Sequence, residues 1–111
     1  MSSVTARLEA VIEHGDLDYR DVARIVDASP RSVARWVTTD TEPRRSSRER
    51  LLEFFAVMDR LGTVVRPAAA HDWLYTPNPT LDNEKPADLL RRGEYRRVLA
   101  IIDALGEGVF V

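Results

Sequence analysis

Apolar side chains recur every three or four residues along most of this chain, in short stretches separated by glycine, proline or polar turns. Val4, Leu8 and Val11 begin the first such stretch, which closes at Gly15. This spacing places the apolar side chains on one face of a helix. No stretch of useful length alternates apolar and polar residues, as a strand at a sheet surface would. The spacing therefore predicts an all-α fold.

Capping residues predict where the helices of the first half begin. Asp18 is suited to cap a second helix, and Ser29 followed by Pro30 is typical of the start of a third, which runs to about residue 37. A longer helix follows the polar loop after it, from Ser46 or Ser47 to Gly62.

The second half predicts three shorter helices, over 67–74, 87–92 and 94–105. Proline or glycine marks the ends of these stretches. We expect the chain to divide near residue 62 into two units, 1–62 and 63–111.

Residues 19–38 have the spacing of a helix-turn-helix. Ala23 is small enough for a second helix to cross over it, and Val33 and Trp36 are spaced to turn back into the core. Asp27 occupies the turn position that often holds glycine, and aspartate tolerates left-handed backbone angles better than most residues. The pattern predicts an Xre-like helix-turn-helix bundle.

This arrangement leaves Ser29, Arg31, Ser32 and Arg35 on the outer face of the second helix, where a DNA major groove would be contacted. Arg31 or Arg35 would make bidentate hydrogen bonds to guanine. In the alternative interpretation, both arginines simply form a solvated helix face. The residues expected to hold phosphates are Ser29, Thr38, Thr39, Arg44 and Arg45.

The net charge of −2 by itself disfavours DNA binding, but the distribution of the charges does not. Residues 30–50 carry six arginines against three acids, a net charge of +3 between two acidic flanks. Arginine supplies 15 of the 16 basic residues, which suits phosphate contacts, although GC-rich codon usage is the simpler explanation. Since one such unit contacts only a few base pairs, we expect a dimer on a two-fold operator.

Several functional classes are disfavoured. The chain has no cysteine, which excludes disulfides and thiolate chemistry, and it shows no glycine-rich phosphate loop. We do not expect His71 and Asp72 to form a proton relay, because adjacent residues on a helix do not face each other. We therefore expect no enzyme activity, no metal and no cofactor. With no secretory signal and no apolar run of about 20 residues, we expect a cytoplasmic protein without a membrane partner.

The last predicted helix is apolar over more than one stripe, through Tyr95, Val98, Leu99, Ile101, Ile102 and Leu105. This breadth is typical either of a second chain covering the helix or of a small domain enclosing it. The tail over 109–111, also apolar, is either frayed or a plug for a partner pocket.

Two short motifs occur in the second half of the chain, Lys-Pro-Ala-Asp-Leu over 85–89 and Gly-Glu-Tyr at the start of 93–98. Together with the stretches 25–36, 73–78 and 108–111, they resemble the MbcA/ParS/Xre antitoxin family. The helix-turn-helix stretch is shared with many Xre-type regulators, whereas the two motifs of the second half are much narrower.

The resemblance implies an antitoxin that pairs with a RES-domain toxin, which destroys cellular NAD. It implies that the C-terminal domain covers the toxin's active-site cleft and that the helix-turn-helix represses the operon. A stand-alone Xre-type regulator and a purely structural adaptor are the alternatives. The toxin-binding candidates that the resemblance implies are Trp73, Asn78, Lys85, Arg91, Arg92, Tyr95, Glu107, Gly108, Val109, Phe110 and Val111.

Overall fold

A computed structural model describes residues 3–108 of the chain, and within that range the fold is all-α, as predicted. Two short 3-10 turns, Pro67–Ala69 and Pro79–Leu81, lie between helices. None of the described helices is both long and apolar enough to cross a membrane. The helices are α1 (Ser3–Gly15), α2 (Tyr19–Val26), α3 (Pro30–Thr38), α4 (Arg45–Leu61), α5 (Ala70–Tyr75), α6 (Pro86–Arg91) and α7 (Tyr95–Gly106).

The predicted caps of α2 and α3 are confirmed. Asp18 accepts a hydrogen bond from the backbone N–H of Asp21, whose own carboxylate accepts one from the backbone N–H of Asp18. The first of these bonds is the main cause that lowers the pKa of Asp18. Ser29 accepts a hydrogen bond from the backbone N–H of Ser32, with Pro30 at the first helical position. Asp27 ends α2 in the left-handed region, at a φ of 55°.

Several predicted boundaries differ by one to three residues, and α6 lies one residue earlier than the predicted 87–92. Helix α4 begins at Arg45, before Ser46, and its first turn has no side-chain cap. The helix predicted from Pro67 is a 3-10 turn that leads into α5. Helix α7 begins one residue later than predicted and includes Gly106. Such shifts arise because terminal turns depend on local backbone geometry that apolar spacing does not report.

Helix α4 is the centre of the fold. It packs against α1, α2, α6 and α7, and both of its phenylalanines, Phe54 and Phe55, are fully buried. Their ring centroids lie 6.2 Å apart, within the range of favourable aromatic contacts. An ion pair between Arg60 and Asp103 joins α4 to α7 at the surface.

One apolar core extends through both halves of the chain. Helix α2 of the first half packs on α6 of the second, and the predicted boundary falls in the turn after α4. The division into units 1–62 and 63–111 stays a prediction. Helices α2 and α4 of the first half nevertheless pack directly against the second half, α2 against α6 and α4 against both α6 and α7.

Most of the apolar face of α7 is covered within the chain. Val98, Ile101 and Ile102 are buried, Tyr95 and Leu99 pack partly against the core, and Leu105 remains 36% exposed. Enclosure within the chain therefore explains most of this helix's apolar surface. The homodimer stays a prediction, with less support from this face than the sequence suggested.

We expect Gly93→Ala to destabilise the protein. Gly93 joins α6 to α7 at a φ of +85°, and a Cβ there would displace the flexible end of the Arg50 side chain, whose Nη1 would lie 2.3 Å away. The backbone conformation alone costs roughly 1–2 kcal/mol for a residue other than glycine. Thermal unfolding measures the loss. Gly62→Ala is the matched control, because Gly62 has a φ of −62° and a Cβ there meets only ordinary contacts. Equal melting temperatures for the two variants would mean that the positive φ at Gly93 does not require glycine.

Candidate functional site

The helix-turn-helix is assembled as the sequence predicts. Helices α2 and α3 pack together, Ala23 is 2% exposed, and Val33 and Trp36 are buried. The Thr5 hydroxyl of α1 donates a buried hydrogen bond of 3.0 Å to the carbonyl oxygen of Trp36. This bond fixes the end of α3 on α1 and leaves the opposite face of α3 to solvent.

Exposed arginines line that outer face. Arg35 and Arg44 border a polar groove of about 460 Å³ between α3 and the start of α4. Arg31 lies on the same helix as Arg35, and Arg48 follows Arg44 by one turn. Within residues 3–108, none of these four guanidinium groups lies within 4.0 Å of a carboxylate. Their charge is available to a partner.

Arg48 was not among the sequence-predicted contacts. The sequence feature that could have identified it is its position in the segment of net charge +3, one helical turn beyond Arg44. Arg45, which was predicted, instead lies 3.4 Å from Glu49 on the same helix. Such exposed pairs are weak, so Arg45 remains able to change partner.

The predicted hydroxyl contacts are already engaged within the protein. The Ser29 hydroxyl donates to the Ser32 hydroxyl oxygen at 2.9 Å while capping α3. The Thr38 hydroxyl donates to the carbonyl oxygen of Ala34, and that of Thr39 to the carbonyl oxygen of Arg35. Because a phosphate oxygen only accepts hydrogen bonds, the three hydroxyls that donate would each have to give up an internal bond to contact DNA, whereas that of Ser32 keeps its own proton to donate. The arginines are the readier donors.

Four of the toxin-binding candidates in the second half are at least partly buried. Trp73 and Tyr95 are half-buried against the core, and Lys85 is a partly buried residue at the start of α6. Asn78 has a structural role, since its side-chain oxygen accepts a 2.9 Å hydrogen bond from the backbone N–H of Thr80. Its backbone N–H also donates to the carbonyl oxygen of Glu84.

Arg92 is held in an ionic cluster at the turn between α6 and α7. Its two Nη groups donate to the carboxylate of Glu84 at 2.7 and 2.9 Å, and its Nε donates to Glu94 at 2.7 Å. Arg97 adds a 3.0 Å hydrogen bond to Glu94. The bonds from Arg92 lower the pKa of both carboxyl groups, and the same bonds raise that of Arg92.

We expect Arg92→Gln to raise the pKa of Glu84 and of Glu94 towards their ordinary values. The pKa of each carboxyl group is lower in the folded protein than in the unfolded chain. The cluster therefore contributes its full stabilisation at pH values above the unfolded-state pKa, and this stabilisation is lost as the pH falls through the folded-state pKa. Side-chain carboxyl titration by NMR measures the two values. Arg96→Gln, on the exposed surface of α7, is the control. Unchanged titration of Glu84 in Arg92→Gln would contradict the cluster.

The expectation that His71 and Asp72 form no proton relay stays a prediction. Nδ1 of His71 lies 3.7 Å from the Asp72 carboxylate, closer than their adjacent positions suggested but beyond hydrogen-bond distance. Nε2 is nearer to Asp21, at 3.4 Å, and the ring packs 4.8 Å from that of Tyr75. The Tyr75 hydroxyl donates to the Asp21 carbonyl oxygen, and burial raises its pKa. These contacts join α5 to α2.

The C-terminal candidates lie beyond α7. Glu107 and Gly108 are exposed, and Gly108 has a φ of +76°. Val109, Phe110 and Val111 lie outside the described residues. The choice between a frayed tail and a plug therefore stays open.

The fold and surfaces define a small all-α protein with a helix-turn-helix and a second helical half packed on it. Residues 56–108 match the family model of the antitoxin Xre/MbcA/ParS C-terminal toxin-binding domain. The chain belongs to the Xre/MbcA/ParS antitoxin family, which confirms the resemblance.

The chain covers most of the length of each of the following relatives. The mycobacterial cidal antitoxin MbcA of Mycobacterium tuberculosis, like that of Mycobacterium bovis, is 48% identical over 108 residues, covering 97% of this chain and 96% of the relative. A probable mycobacterial cidal antitoxin of M. tuberculosis is 31% identical over 91 residues, or 82% of this chain and 77% of the relative. A chain in the crystal structure of the M. tuberculosis MbcT–MbcA toxin–antitoxin complex is 47% identical, with a TM-score of 0.89 and full coverage of both chains.

Proposed function

We propose that this chain neutralises a RES-domain toxin that destroys NAD, by covering the toxin's active-site cleft with its C-terminal half. The observation that carries this proposal is the match over full length, at a TM-score of 0.89, to a chain in a toxin–antitoxin complex. In the proposal the chain itself is not an enzyme, and it acts in the cytoplasm, where both NAD and its gene are found.

The second half offers the side chains that tight interfaces use. Trp73 and Tyr95 present partly exposed rings, and Arg91 is an exposed cation nearby in the sequence. Interfaces concentrate their binding energy in aromatic and arginine side chains of this kind. In this proposal the segment from Glu107 onward, which follows α7, extends into the toxin's cleft.

The first half supports a second role as repressor of its own operon. The free guanidinium groups of Arg31 and Arg35 project from α3, with those of Arg44 and Arg48 beside them. In this proposal the first two contact guanine and the others contact phosphates. A homodimer would place two copies of α3 on a two-fold operator.

Co-purification separates this proposal from that of a stand-alone regulator. The tagged chain is co-expressed with a RES-domain protein encoded beside it, using a toxin variant without activity so that cells survive. We expect a stable complex that elutes as one species in size-exclusion chromatography. A chain that binds its promoter DNA but elutes without the toxin would favour the stand-alone regulator. The doubly substituted Trp73→Ala, Tyr95→Ala chain is the interface variant, and Leu52→Ala, at an exposed leucine of α4, is its control.

A further inference from the structure

Asp27, in the turn of the helix-turn-helix, borders two neighbouring surface grooves. The first groove contains Arg35 and Arg44 of the N-terminal half. The second contains Arg50 of α4 and Arg91 of α6. Arginines from both halves of the chain therefore lie along one surface, with the carboxylate of Asp27 between them.

Arg91 is the residue of α6 that faces this carboxylate. Its Nε lies 3.4 Å from Oδ1 of Asp27, and the two side chains are 55% and 66% exposed. Its neighbour Arg92 is held by Glu84 and Glu94, and Asp88 is held by Arg24 at 2.9 Å. Among residues 3–108, Asp27 is the one carboxylate within 4.0 Å of Arg91. The remaining N–H donors of this guanidinium are thus available to a ligand.

The position suits an anionic ligand that also contacts α3. Asp27 is two residues before Ser29, the cap of the helix proposed to enter the major groove. Without Arg91, its exposed carboxylate would repel the phosphates on either side of that groove. Arg91 offsets that charge and offers donors of its own to the same backbone.

We infer that Arg91 binds a backbone phosphate of operator DNA, so that the DNA-binding surface continues from the helix-turn-helix onto α6. The inference depends on the proposed repressor role. It adds a phosphate contact from the half of the chain that the family model describes as toxin-binding.

The test compares Arg91→Gln with Asp27→Asn on a duplex carrying the promoter region upstream of this gene. Arg91→Gln removes the charge, and we expect binding roughly three- to tenfold weaker, with the slope of log K against log salt reduced by about 0.9. Asp27→Asn keeps a residue that tolerates the left-handed turn but removes the carboxylate. We expect it to bind the duplex more tightly than the unchanged protein does.

Arg96→Gln is the control, since it removes the same charge from an exposed position on α7. An unchanged salt slope in Arg91→Gln would overturn the inference. So would weaker binding by both Arg91→Gln and Asp27→Asn, because that result would make the ion pair a structural support of the turn. Loss of toxin capture by Arg91→Gln with an unchanged slope would assign Arg91 to the toxin surface alone. If the unchanged protein itself fails to bind the duplex at low salt, that result would contradict the repressor role and, with it, the inference.

Discussion

Removing residues 107–111 is expected to abolish protection from the toxin while leaving operator binding intact. The deletion begins after α7 and leaves that helix's buried residues Val98, Ile101 and Ile102 in place. The truncated chain should therefore keep its fold. It loses the apolar segment proposed to enter the toxin's cleft. Growth of cells expressing the active toxin measures protection, and a promoter-duplex mobility shift measures DNA binding.

A matched control replaces residues 107–111 by glycine and serine at unchanged length. If the side chains of the tail enter the cleft, this variant fails as the truncation does. If the tail acts only by its length, the control still protects. Full protection by the truncated chain would contradict the plug and would place neutralisation on the helical surface that carries Trp73 and Tyr95.

Arg31→Ala combined with Arg35→Ala is expected to weaken operator binding by about 100-fold or more, since each bidentate guanine contact supplies roughly 1–3 kcal/mol. Both side chains are exposed and have no internal ion pair among residues 3–108, so thermal unfolding should be little changed. Toxin capture should also be retained. Fluorescence anisotropy on the promoter duplex measures the loss.

The control for this variant is Arg66→Ala combined with Arg96→Ala, which removes the same charge from exposed positions in the second half. Equal weakening by the two double variants would indicate a general charge effect rather than base contacts. Unchanged binding after loss of Arg31 and Arg35 would mean that these arginines form only a solvated helix face.

The helical framework could be predicted because its signals are local. Asp18, Ser29 and Pro30 cap or start helices through neighbouring backbone groups, and the left-handed Asp27 follows from the turn that it occupies. The burial of Val33 and Trp36 follows from helical spacing alone. Each of these features depends on residues within about one turn of the chain.

The contacts between the halves could not be predicted, because they depend on how helices distant in sequence meet. Nothing near Arg91 indicates that it faces Asp27, 64 positions earlier, rather than a carboxylate of its own helix. The ion pairs of Arg92 with Glu84 and Glu94 depend on the tight turn at Gly93. The proximity of His71 to Asp21 likewise depends on α5 packing beside α2.

The central claim is that this chain protects a cell from loss of NAD. The most direct measurement is the intracellular NAD content of cells that express the proposed RES-domain toxin with and without this protein. We predict that NAD falls when the toxin is expressed alone and stays at the level of uninduced cells when the two are co-expressed. A fall in NAD that is equally deep in the presence of the protein, at matched toxin levels, would contradict the account.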